Sequence, residues 1–107
     1  METSDFHKLA DTCLERVATW LESFDADEVD FSTPDGVVTI EFADGAKYVL
    51  NRQTAADQMW FAAGARAWHY VWDAARSEWR CDKDDHELYA RIAESLGQKL
   101  GREVTFG

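Results

Sequence analysis

The chain has 107 residues, the size of one domain and too short for a multidomain machine. Hydrophobic residues make up 46% of it and aromatics 13%, with five Trp, enough apolar material for a core, so a disordered chain is excluded. Residues 1–46 hold twelve acids against Lys8 and Arg16, a charge of −10, while residues 47–107 hold nine acids against nine bases. With no basic face, nucleic acid and anionic membrane are excluded as partners, and cations or a basic protein surface are expected.

The first element reads as a helix. Phe6, Leu9, Ala10, Cys13, Leu14, Val17, Leu21 and Phe24 recur at steps of three and four, the spacing of one helical face. Thr3 or Ser4 is placed to cap it. His7, Asp11, Glu15, Ala18 and Glu22 fall on another, solvated face.

Beyond Phe24 the period changes to two. Val29 and Phe31 alternate with acids in an edge strand, and Pro34-Asp35-Gly36 marks a turn. Val38, Ile40 and Phe42 form a second strand, followed by an Asp44-Gly45 hairpin turn and a strand from Lys47 to Asn51. Further strands are expected at Gln58 to Ala62, Ala67 to Trp72 and Glu78 to Cys81. Short turns between successive strands require an antiparallel meander.

A second helix follows. Asp84 and Glu87 have capping-box spacing, Tyr89, Ile92, Ala93, Leu96 and Leu100 form its apolar stripe, and Gly101 ends it. Val104 and Phe106 remain to pack back on the core. Two amphipathic helices and one amphipathic sheet bury their apolar sides most simply with both helices on one sheet face. The expected architecture is therefore an α+β two-layer sandwich over residues 1–107, two helices on a five- or six-stranded antiparallel sheet.

That arrangement leaves the other sheet face open. In Gln58-Met59-Trp60-Phe61, Met59 and Phe61 are the better core pair, which puts Gln58 and Trp60 on the open side. There Trp60 either anchors a protein partner or packs into a side cluster.

The strongest chemical feature is the run Glu22, Asp25, Asp27, Glu28 and Asp30, which Asp11 and Glu15 extend back along the helix. Carboxylates are hard ligands suited to Mg²⁺, Ca²⁺, Mn²⁺ and iron. Two exposed carboxylates ~6 Å apart repel by ~0.7 kcal/mol in water, a repulsion that a bound cation relieves. No EF-hand spacing is completed after Asp25, so modest affinity is expected, and a purely solvated acidic face is the competing reading. His7 lies one helical turn before Asp11 and joins the run as a candidate ligand. His69, in an aromatic strand, is expected to be structural, and His86 to be solvent-exposed. Trp68, Tyr70 and Trp72 alternate like a stacking platform, which without a basic groove does not serve a nucleic-acid strand.

Other chemistries find no support. Cys13 and Cys81 have no metal-finger spacing and read as reduced thiols of a cytoplasmic protein. No nucleophilic triad, glycine-rich phosphate loop, signal segment or transmembrane span is visible.

The helix–meander–helix order, the acidic first helix and strand, Asn51-Arg52-Gln53 and Gln58-x-Trp60 together resemble the frataxin family. The opening Asp5-Phe6-His7-Lys8-Leu9-Ala10-Asp11 is similar to its bacterial CyaY branch. The resemblance implies weak Fe²⁺ or Fe³⁺ binding, with other divalent cations admitted, on a ridge of Asp11, Glu15, Glu22, Asp25, Asp27, Glu28 and Asp30. It further implies docking on the cysteine desulfurase and the iron–sulfur scaffold protein through Asn51, Arg52, Gln53, Gln58 and Trp60. Ala18 and Thr19 interrupt the ridge within the helix. The expected protein is a monomer, with oligomers only under metal, and a regulator or iron donor rather than an enzyme. Ferritin-like Glu-x-x-His pairs, which a ferroxidase would need, are absent.

Overall fold

A computed structural model describes residues 1–106. The elements run α1 (Thr3–Leu21), β1 (Val29–Ser32), β2 (Val37–Phe42), β3 (Lys47–Gln53), a 3-10 turn (Thr54–Ala56), β4 (Gln58–Ala63), β5 (Arg66–Asp73), β6 (Glu78–Cys81) and α2 (Leu88–Leu100). All six strands pair antiparallel in chain order, β1-β2-β3-β4-β5-β6. A meander of this kind needs only tight turns, and Gly36 and Gly45 adopt the positive φ that two of them require.

Alternation along the strands decides which face each residue takes. Val38, Ile40, Leu50, Met59, Phe61, Tyr70 and Trp79 are all buried on the helix side. Phe6, Ala10, Cys13, Leu14, Val17 and Leu21 of α1 and Leu88, Ile92 and Leu96 of α2 close over them. Each large side chain removed from water in this way contributes ~1.5–3 kcal/mol before entropy is counted. α1 packs on β1, β2 and β3, and α2 on β6, so the acidic first helix lies over the acidic first strand.

Both helix starts depart from the sequence expectation. α1 begins behind Glu2, which caps nothing with its side chain, and Thr3 and Ser4 already lie inside the helix. Burial of the apolar stripe, rather than a cap, holds that end. α2 begins one turn later than the capping-box spacing implies. Its N-cap is Glu87, whose carboxylate accepts from Tyr89 N at 2.7 Å and Ala90 N at 2.9 Å. Asp84 turns instead to His86, because Cys81 N and His86 O close the preceding loop at 2.8 Å. β3 also runs two residues beyond Asn51, which carries the whole Asn-Arg-Gln triplet into the sheet.

The C-terminal tail returns over the molecule. Gly101 ends α2 at φ +73°, the left-handed conformation that glycine adopts without strain. Gly97 lets the tail pass, since a Cβ there would meet Arg102 O at 2.8 Å. Phe106 then sits between Trp20 and Tyr89, with ring centroids at 4.7 and 4.5 Å. Trp20 Nε1 donates to Thr105 O at 3.1 Å. Among the described residues no helix is long and apolar enough to cross a membrane.

Candidate functional site

The acidic residues occupy the edge built by the end of α1, the connecting loop and β1. Five of them, Glu15, Glu22, Asp25, Asp27 and Asp30, form no ion pair among the described residues. Asp25 and Asp30 shape the local backbone, accepting from Asp27 N at 2.9 Å and Phe31 N at 2.8 Å. Their remaining lone pairs face water. A string of uncompensated carboxylates along one edge attracts cations and basic surfaces over about a Debye length.

Two ridge residues are held by arginines from distant parts of the chain. Glu28 meets Arg102 through both oxygens at 2.6 Å, the fork geometry that suits guanidinium and carboxylate. Arg102 holds the Glu28 carboxyl below its ordinary value of 4.5. Asp11 Oδ1 accepts from Arg52 Nη1 at 2.6 Å, and Asp35 lies 3.5 Å from the same guanidinium. His7 shares the helix face of Asp11, yet its Nε2 meets Thr54 Oγ1 at 3.4 Å, so the two polar groups take different partners. The ridge carboxylates do not converge: among the described residues, none belongs to a group of three donors within 4.8 Å of one another. The edge is an open array, suited to loosely held hard cations rather than to a closed cage.

Next to Asp11 and Glu15 a shallow groove of ≈310 Å³ runs to the Pro34 turn, with Leu14 and Val38 in its lining. The guanidinium of Arg52 reaches this end of the ridge from β3, at Asp11 and Asp35, and the Asn-Arg-Gln triplet divides. Arg52 stands opposite buried Met59, on the helix side, and Asn51 and Gln53 stand opposite Trp60 and Gln58 on the open side. Three adjacent residues thus serve two surfaces, a consequence of strand alternation.

On the open face Trp60 is half-buried. Its ring stacks on His69 with centroids 4.2 Å apart and planes 12° from parallel, and its Nε1 donates to Gln58 Oε1 at 2.8 Å. Val71 beside them is 39% exposed. An aromatic ring fixed by a stacked neighbour and a satisfied N–H loses little further entropy on meeting a partner, which suits it to anchoring. Trp68, Tyr70 and Trp72 face the helices instead: Trp68 stacks on Phe61 and Trp72 meets Trp79 edge-on. They are core, not platform.

The cysteines are free thiols. Cys13 is buried beneath Tyr89, and burial pushes its thiol up to about 12, which makes it inert. Cys81 lies at the end of β6 beside Asp84 and His86. His86 is not solvent-exposed as its position near a helix start suggested, because Tyr70 Oη meets its Nε2 at 2.6 Å. The sequence signal for this convergence is the C-x-x-D-x-H spacing of residues 81–86.

Comparison with known proteins agrees with the fold. Residues 1–102 match the frataxin-like domain model. The iron–sulfur cluster assembly protein CyaY of Dechloromonas aromatica is 39% identical over 105 residues, covering 97% of either chain. The chain belongs to the frataxin-like family. A solved frataxin from Psychromonas ingrahamii superposes with a TM-score of 0.88 at 24% identity, over 100% of this chain and 99% of that one. This frataxin-like chain thus keeps the fold at low identity, as expected where core volume and alternation rather than particular side chains specify it.

Proposed function

We propose that this frataxin-like protein takes part in iron–sulfur cluster assembly as a cytoplasmic regulator or iron donor and performs no catalysis itself. It binds Fe²⁺ or Fe³⁺ weakly along Asp11, Glu15, Glu22, Asp25, Asp27, Glu28 and Asp30, with His7 at the near end. The same edge docks on the basic surface of a cysteine desulfurase, while Asn51, Gln53, Gln58 and Trp60 meet the scaffold bound to it. Arg52 contributes from behind by tying β3 to Asp11. The observation that carries this reading is the edge of five carboxylates without counter-ions among the described residues, together with an open sheet face that holds a fixed Trp.

An anaerobic Fe²⁺ titration followed by amide NMR, with Mg²⁺ as control, tests it. Shifts or broadening from Asp11 to Asp30, with the open face quiet, are the expected result. No change below millimolar Fe²⁺ would overturn iron binding at the ridge.

A second reading has one observation in its favour, the failure of the ridge carboxylates to converge. In it the edge is a docking surface only and bound metal is incidental. Undiminished desulfurase binding in the presence of a chelator, together with a silent Fe²⁺ titration, would select it.

A further inference from the structure

The place where metal-ligating side chains do converge lies away from the ridge. Cys81 Sγ, a carboxylate oxygen of Asp84 and a ring nitrogen of His86 all lie within 4.8 Å of one another. Three features hold them there. The loop between β6 and α2 is closed by Cys81 N to His86 O at 2.8 Å and Asp85 N to Cys81 O at 3.1 Å. Buried Tyr70 fixes the imidazole from its far side, with Oη 2.6 Å from Nε2, so that Nδ1 faces Asp84. The neighbouring Asp85 is occupied by Arg76 and Arg80, whereas Asp84 pairs with no lysine or arginine among the described residues.

Sulfur, imidazole nitrogen and carboxylate oxygen form a donor set quite unlike the all-oxygen ridge. Borderline-soft divalent ions, Zn²⁺ above all, take such mixed sets in tetrahedral sites. A hydrogen-bonding partner on the non-ligating nitrogen is the usual means of aiming a ligating histidine, and Tyr70 has that position. The Cys81 side is buried and the Asp84 side chain is 62% exposed, so an ion enters past Asp84 and keeps one position toward solvent.

We propose that Cys81, Asp84 and His86 form a second metal site, which binds one Zn²⁺ or similar borderline divalent ion through three protein donors and leaves a fourth position open. Binding displaces the Cys81 thiol proton to solvent. The site is independent of iron binding at the ridge and stands or falls without it.

The test uses the full-length reduced chain and Co²⁺ as a spectroscopic stand-in for Zn²⁺. The expected result is a thiolate-to-cobalt charge-transfer band in the near ultraviolet that saturates at one ion per chain and is abolished by added Zn²⁺. Asp84→Asn, at an exposed position, keeps the fold and weakens Co²⁺ binding by roughly tenfold or more, the scale on which even an outer partner of a ligand counts. A Glu22→Gln/Asp25→Asn ridge variant leaves the band unchanged. Absence of the band up to millimolar Co²⁺, or its persistence in Cys81→Ser, overturns the proposal. Should Cys81→Ser not fold, iodoacetamide labelling of the unaltered chain decides: Zn²⁺ must slow alkylation of Cys81 roughly tenfold, and an unchanged rate refutes the site.

Discussion

The run of acids from Glu15 to Asp30 and the acids around β5, β6 and α2 are treated differently. Around β5, β6 and α2, Asp73, Glu78, Asp85 and Glu94 each meet an arginine at 2.8–3.5 Å, and Glu87 caps a helix. Along the ridge Glu15, Glu22, Asp25, Asp27 and Asp30 meet none among the described residues. A carboxylate used for folding is brought to a donor, because ordering it without one gains nothing. Carboxylates left facing water and one another cost some stability, and their value must lie in what they attract. Charge pairing, more than charge count, therefore separates the β5, β6 and α2 region of this protein from its candidate functional edge.

Neutralising acids on either side should expose this contrast most visibly in association rate. Glu22→Gln/Asp25→Asn/Asp27→Asn is expected to slow binding to the desulfurase ~10- to 100-fold at low salt, with the difference collapsing at high salt. Asp73→Asn/Glu94→Gln, which removes paired acids only, should leave the rate within about twofold. Stopped-flow or surface plasmon resonance across a salt series measures both. Equal effects would show that only net charge matters.

Trp60→Ala sharpens the division between edge and open face. It should weaken the ternary complex with desulfurase and scaffold by ~2 kcal/mol, or ~30-fold, with little change in on-rate. Circular dichroism should show the fold intact, since the ring lies outside the core. Unaltered complex formation would remove Trp60 from the docking surface.

Thermal melting separates the two regions with a smaller effect. The triple ridge variant should melt higher at low salt, by roughly 3–6 °C, as about one close carboxylate repulsion is relieved. Asp85→Asn should melt lower, since it strips one of two carboxylate partners from each of Arg76 and Arg80 while Asn still tolerates the φ of +62° there. Calorimetry in which both variants move the same way would contradict the distinction.

The smallest effect is a pH effect at Glu28, one of the two ridge acids that an arginine does hold. Glu28 is held below its ordinary value by Arg102, so its folded value lies below its unfolded one. The contact therefore contributes at neutral pH and is lost as pH falls through the lowered value. An NMR titration should find the Arg102 side-chain signals moving with a midpoint below 4.5, and Glu28→Gln should abolish that transition. A midpoint at or above 4.5 would show that the pair is not formed in solution.

Much of the fold is legible in the sequence. The switch from a period of three and four to a period of two after Phe24, and back after Asp84, places the elements, and alternation in Gln58-Met59-Trp60-Phe61 orients β4. Cap residues are less legible. Thr3, Ser4 and Asp84 are good cap types, but packing of α1 and closure of the 81–86 loop settle where the helices begin. At the site, the acidic run is plain in the sequence, while its state of pairing is not.

By itself the sequence determined the layering, the meander, the acidic edge and the open face, because all of these follow from local periodicity and the sign of local charge. Only the tertiary structure decided which acids are compensated. Arg102 reaches Glu28 across 74 positions and Arg52 reaches Asp11 across 41, and no local pattern encodes contacts of that span. It likewise split Asn51-Arg52-Gln53 between two faces, stacked Trp60 on His69, and set Tyr70 behind His86. Each of these depends on which strand lies beside which, and that is a property of the assembled sheet.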